Sequence, residues 1–185
     1  MLKLKHLQPI LFIGALAAQP ALTPDARFVI KTAQANLAEV QISAWAKDHA
    51  LSDEVRAFAS KVLDDHTKLA DELRALAAKE SATLVTELDP KDAIEIDRQK
   101  TLEPNLLDRA YMREAMKWHL REAEAFRHEI DSGREPALRN WAARMLLQIQ
   151  AHIKQGEDTE RAIGMEVIEN GATRSALVDV TGAKK

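Results

Sequence analysis

The chain has 185 residues, 46% hydrophobic but only 4% aromatic, with a formal net charge of -3 and a pI near 6.1. That length corresponds to one domain, and its alanine-rich make-up with few β-branched runs favours packed helices over sheet. The acidic balance excludes the basic field that a nucleic-acid binder needs, and the absence of cysteine excludes disulfides and a lipid-modified cysteine.

The N-terminus reads as a secretory signal over 1–21. Lys3 and Lys5 form a positive flank, and Ile10 to Ala18 is a short apolar core. Ala15-Leu16-Ala17 fits a small-x-small cleavage site, with a second choice ending at Ala21. The apolar run falls short of the ~20 residues of a membrane span. The expectation is export to the periplasm or cell envelope, with no stable span after cleavage.

Helix 1 is predicted from the Thr23-Pro24-Asp25 cap to about His49, with Phe28, Thr32, Ala35, Glu39, Ile42 and Ala46 on one face. Leu51-Ser52-Asp53 is a turn, and Ser52 or Asp53 caps helix 2. Helix 2 carries Val55, Ala59, Val62, His66, Leu69, Leu73 and Leu76, fading near Lys79. The period breaks over 81–106, where Asp89-Pro90 and Glu103-Pro104 mark turns around a short helix at 91–101. Helix 3 is predicted to start at Asp108, with Tyr111, Ala115, His119, Glu122, Phe126 and Ile130 on its stripe. A Gly133–Pro136 turn follows, then helix 4 with Leu138, Trp141, Met145, Ile149 and His152, weakening after Gly156. The tail 157–185 is expected to be partly helical, then disordered.

The sequence repeats on itself at an offset of 83 residues. Asp25-Ala-Arg-Phe28 returns as Asp108-Arg-Ala-Tyr111, and Val55-Arg-Ala-Phe58-Ala59 as Leu138-Arg-Asn-Trp141-Ala142. Two copies of one helical hairpin (24–80 and 107–156) joined by a long crossover (81–106) give an all-α, ferritin-like four-helix bundle over 22–156.

Ionisable residues interrupt all four apolar stripes: Glu39, His66, His119 with Glu122, and His152. A carboxylate inside a bundle is costly unless it binds a metal, pairs with an imidazole or takes up a proton. Carboxylates with imidazoles suit iron, manganese, zinc or copper. The competing reading is a polar layer of Glu39–His66 and Glu122–His152 pairs that sets helix register. A di-iron centre would need Glu-x-x-His on two helices, but Leu63 and Ile149 stand three residues before His66 and His152. The bridging carboxylates are therefore missing. Asp65 is expected to face solvent or basic partners, because adjacent helical residues point about 100° apart. Met112, Met116 and Met145 read as core filling.

Phe28 with Glu39, Phe58-Ala59 with Asp65-His66, Asp108-Arg109-Ala110-Tyr111 with His119, and Trp141-Ala142 with His152 together resemble the exported bacterial proteins of the domain-of-unknown-function 4142 family. The resemblance covers about 25–155. It implies a ferritin-like bundle and a signal-directed envelope location, and no reaction. Trp141 stands where the family usually has a smaller aromatic residue.

Three readings follow. The first is a non-enzymatic envelope protein binding a metal ion or protons at Glu39, His66, His119, Glu122 and His152, with a role in stress tolerance. The second is an interaction module for an envelope protein or a second copy of the chain, its polar layer purely structural. The third, least supported by the spacing, is a di-metal oxidase.

Overall fold

The computed structural model describes residues 21–165. The predicted signal segment up to residue 20 and the end of the tail from residue 166 lie outside the described residues. Five helices occur among those described: α1 (Pro24–His49), α2 (Asp53–Lys79), α3 (Pro90–Lys100), α4 (Pro104–Ser132) and α5 (Pro136–Ala162). Helices α1 and α2 form one hairpin and α4 and α5 the other; α1 packs on α4, α2 on α5, and α3 lies against α1 and α4. This is the ferritin-like layout, with α3 inside the crossover.

Local chemistry sets the helix ends. The hydroxyl of Thr23 accepts from the Ala26 N–H at 3.0 Å, that of Ser52 from Glu54 at 3.2 Å, and the Asp89 carboxylate from Lys91 at 2.9 Å. Helix α4 starts four residues earlier than the Asp108 predicted, because Pro104 fits the first helical position, where its missing N–H costs nothing. Helix α5 runs past Gly156 to Ala162. This glycine is no helix stop. It lies against the sulfur of Met116, where any Cβ would collide.

The repeat is physically expressed as a mutual clasp. The Asp25 carboxylate accepts hydrogen bonds from the N–H groups of Arg134 (3.0 and 3.1 Å) and Glu135 (2.8 Å) in the turn of the second hairpin. Asp108, its equivalent, accepts from Leu51 (2.7 Å) and Ser52 (3.0 Å) in the turn of the first. All four donors are themselves related by the 83-residue offset. The aromatic contacts obey it too: Phe58 meets Tyr111 edge-on at 6.2 Å, and Phe28 meets Trp141 at 6.3 Å. Since Asp108 near the start of α4 reaches the α1–α2 turn, α2 and α4 run parallel. The crossover must therefore carry the chain the length of the bundle.

The core is split in two. One apolar cluster contains Ile42, Phe58, Val62, Ile96, Leu107 and Tyr111. The other contains Val29, Leu73, Phe126, Leu138, Trp141 and Ile149. Each fully buried side chain of this kind contributes about 1.5–3 kcal/mol. Between the two clusters lies a layer of buried polar groups, set at the middle turns of α1, α2, α4 and α5.

Candidate metal centre

Each helix supplies its part of this layer from the face that the apolar clusters turn inward. Glu39, His66, His119 and His152 are no more than 1% exposed, and Glu122 is also buried. The structure brings all five predicted residues into one layer. It also adds two that the sequence reading missed. Helix α1 buries Val29, Thr32, Asn36, Glu39, Ser43 and Ala46, a face slightly rotated from the predicted stripe. Choosing apolar Ala35 over polar Asn36 hid a member of the layer. Asp65 was expected to face outward, and it does pair with Lys61; it also accepts from Nε2 of His152 at 2.9 Å. It sits at the flank of α2, where α5 packs close enough to be reached.

The hydrogen bonds assign each of the three imidazoles of the layer a tautomer. Nδ1 of His119 faces the Ala115 carbonyl at 2.7 Å, and a carbonyl can only accept, so that nitrogen carries the proton. Asn36 uses its NH2 to donate to the His66 carbonyl at 3.0 Å, which leaves its oxygen to accept from His66 Nδ1 at 2.9 Å. The Asp65 carboxylate places the His152 proton on Nε2. These assignments follow from the hydrogen-bond network. The remaining nitrogens, Nε2 of His66, Nε2 of His119 and Nδ1 of His152, all carry lone pairs.

Those lone pairs converge. His119 Nε2 lies 3.2 Å from His152 Nδ1 and 3.3 Å from Glu39 Oε2, and His66 Nε2 lies 3.6 Å from the same oxygen. The three ring centroids form a near-equilateral triangle with sides of 5.1, 5.4 and 5.5 Å. Imidazoles bound tetrahedrally to one ion at about 2.0–2.1 Å would place donor atoms about 3.4 Å and centroids about 5 Å apart. The His66 Nε2 and both oxygens of Glu39 and of Glu122 receive no hydrogen bond from protein donors. Outward contacts that fix a ring while leaving its inner nitrogen bare are the usual surroundings of a metal-binding histidine.

The electrostatics follow from the same burial. Burial, then repulsion by Glu122, holds Glu39 well above the usual carboxyl range, and burial pushes Glu122 up to about 8. The two carboxyls are stable side by side only when they share a proton or a cation. Burial and the neighbouring His152 bring His119 down to about 3; burial and the other two rings lower His66, and burial lowers His152. For Asp65, burial works upward, but hydrogen bonds from Lys61 and His152 outweigh it and bring the carboxyl down to about 2.

One expectation changes. The layer does not pair Glu122 with His152, since His152 turns to His119 and Asp65 instead. Leu63, where a di-iron bundle would need a carboxylate, is only half-buried beside the layer.

The family model described as Domain of unknown function (DUF4142) matches residues 14–159. The chain belongs to the DUF4142 family. No curated protein matches it. Among solved structures, it is similar to a DUF305 protein from Streptomyces coelicolor that carries a provisional description as secreted, with 14% identity over 77% of this chain and 93% of that one and a TM-score of 0.67. A DUF305 fragment from Deinococcus radiodurans is comparable, with 16% identity, 78% and 99% coverage and a TM-score of 0.66. At these identities the likeness shows the helical fold alone. Among the described residues of this DUF4142 protein, no helix is long and apolar enough to cross a membrane.

Proposed function

We propose that this DUF4142 protein binds a transition-metal ion at the mid-bundle layer, in the periplasm or cell envelope, with His66, His119, His152, Glu39 and Glu122 as its ligands. The observation that carries the reading is the convergence of bare imidazole nitrogens, His66 and His119 on the buried Glu39 carboxyl and His152 on His119. Lone pairs facing each other at 3.2–3.6 Å in a dry interior repel unless something positive lies between them. Neutral imidazoles with carboxylates suit iron, manganese, zinc or copper and disfavour calcium or magnesium. Export is supported by the N-terminal charge and apolar pattern.

The test is metal analysis of untagged protein purified from the periplasm, because a polyhistidine tag would bind metal itself. The expected result is metal in the wild type well above the level in a Glu39→Ala, His66→Ala double variant. Equal metal content in the two would sink the reading.

One observation favours a second reading. His119 Nε2 and His152 Nδ1 lie at hydrogen-bond distance, 3.2 Å, and a proton shared between them would join the two rings without a metal. The layer would then be a proton-filled register device. On that reading, replacing His66 and His152 by Leu leaves stability intact or improves it, and a large loss in a thermal melt argues against it.

A further inference from the structure

Two sets of donor atoms are superimposed in the layer. His66, His119 and His152 form one, and Glu39, His66, His119 and Glu122 the other, the donor atoms of each lying within 4.8 Å of one another. Both sets contain His66 and His119. Resting on the metal reading above, we propose that the centre holds a single divalent ion, which uses His66 and His119 in every state and leans on His152 or on Glu122 according to its hardness.

Single occupancy follows from counting lone pairs. The Nδ1 of His66 and the Nδ1 of His119 are already bound as N–H donors to Asn36 and Ala115. Each ring therefore has one nitrogen to give, and one nitrogen cannot serve two ions. Filling either set uses up both shared rings, so the two sets exclude each other. Charge points the same way. Two buried carboxylates supply at most two negative charges, which one divalent ion balances. A second would leave two uncompensated positive charges in a dry core, where even one is expensive. The carboxylate of Asp65 offers no relief, being tied to Lys61 and His152.

The unshared arms differ in chemistry. His152 completes an all-nitrogen triangle, which favours softer ions such as Zn2+. Glu122 completes a two-nitrogen, two-carboxylate set, which favours harder ions such as Mn2+. The 83-residue repeat supplies the carboxylate arm, since Glu39 and Glu122 are equivalent positions. The third imidazole departs from the repeat, and it is this departure that gives the centre its nitrogen-rich side.

The experiment is calorimetric titration of metal-free, untagged protein with Zn2+ and with Mn2+. It compares the wild type with His119→Ala, His152→Ala and Glu122→Gln, each checked for helicity by circular dichroism. The wild type is expected to bind one equivalent of either ion. His119→Ala should weaken both by about 100-fold or more, since loss of an outer-shell partner alone costs about 10–100-fold. His152→Ala should weaken Zn2+ by a larger factor than Mn2+, and Glu122→Gln the reverse. Two equivalents bound by the wild type, one of them lost in His152→Ala, would overturn the proposal. So would an unchanged Zn2+ to Mn2+ preference in both arm variants, a comparison that stands even if His119→Ala fails to fold. Failure of the wild type to bind either ion overturns the metal reading itself, an outcome distinct from binding two.

Discussion

The two ends of this bundle obey its internal repeat, and its middle does not. At the ends, Asp25 and Asp108 grip each other's hairpin turn through backbone N–H groups 83 residues apart. In the middle only Glu39 and Glu122 are equivalent. His66 corresponds to Ile149, His152 to Leu69, and His119 to Asn36, which binds His66 instead of joining the convergence. The contrast separates two kinds of work. A clasp stabilises the fold with what the chain already contains, so each copy of the hairpin can keep it. The middle layer leaves bare nitrogens and unpaired carboxylates, which cost stability until something occupies them.

The sharpest test of that contrast is therefore thermal. A ligand that binds only the folded state at about a thousand times its Kd adds about 4 kcal/mol, which for a chain of this size raises Tm by about 8–16 °C. Adding the bound ion should produce a shift of that order in the wild type. The Glu39→Ala, His66→Ala variant should show none, while Asp25→Ala and Asp108→Ala should keep it. A shift equally lost in the clasp variants would break the division between frame and site.

The clasps come next. Each carboxylate accepts from two backbone N–H groups, partly buried, and truncation to alanine strips both of a charged acceptor. The expected cost is about 2–3 kcal/mol for either variant, and the two should add, because they sit at opposite ends of the bundle. Urea unfolding of the single and double variants measures this. Markedly unequal costs would mean that the repeat is a resemblance of sequence and not of energetics.

The pH dependence of the metal-free protein is a smaller effect of the middle layer. Its histidines titrate below their ordinary 6.5 in the fold, so the unfolded chain takes up protons first and stability falls as pH drops below about 6.5. Its glutamates titrate above their ordinary 4.5, with Glu122 at about 8, so stability also falls as pH rises through the window from 4.5 to 8. Below about 4.5 only the imidazole loss remains and above about 6.5 only the carboxyl loss, which puts the maximum between those limits. Burial, with Asp25 and Glu80 nearby, also lifts Glu129 at the Asp25 end to about 7, adding to the alkaline loss. Denaturant titrations in chelator should show this dome, and Glu39→Gln with Glu122→Gln should flatten its alkaline side. An unchanged alkaline limb would mean that the pair is not where the pH sensitivity resides.

Much of this frame was legible because periodicity and caps are local. Thr23, Ser52 and Asp89 mark helix starts by their own hydrogen bonds, and the two prolines at 90 and 104 bracket the crossover helix. The five ionisable residues stood out because they interrupt apolar stripes. Asn36 and Asp65 did not, for two different physical reasons. A stripe drawn through apolar residues rotates away from a buried amide, as choosing Ala35 did. A side chain at the flank of one helix is brought inside only by the neighbouring helix, as α5 does for Asp65. The tautomers depend on carbonyl, amide and carboxylate partners up to 87 residues away, and no spacing rule encodes them.

The smallest expected effect tests whether the frame's symmetry extends to single atoms. Tyr111 places its hydroxyl 2.9 Å from that of Ser43, both buried. The equivalent contact joins Phe28 and Phe126, edge-on at 5.6 Å, with no polar atom on either side. The same contact of the bundle is thus closed once by a hydrogen bond and once by apolar packing. Replacing Tyr111 with Phe removes one partner and strands the Ser43 hydroxyl, at an expected cost of about 1 kcal/mol. Replacing Ser43 with Ala as well removes the stranded group, and the double variant should recover most of that loss, because it converts the contact to the apolar kind its counterpart already uses. A double variant as unstable as the sum of its singles would show that the two hydroxyls are not energetically coupled, and that Tyr111 stabilises the bundle through its packing in the apolar cluster instead.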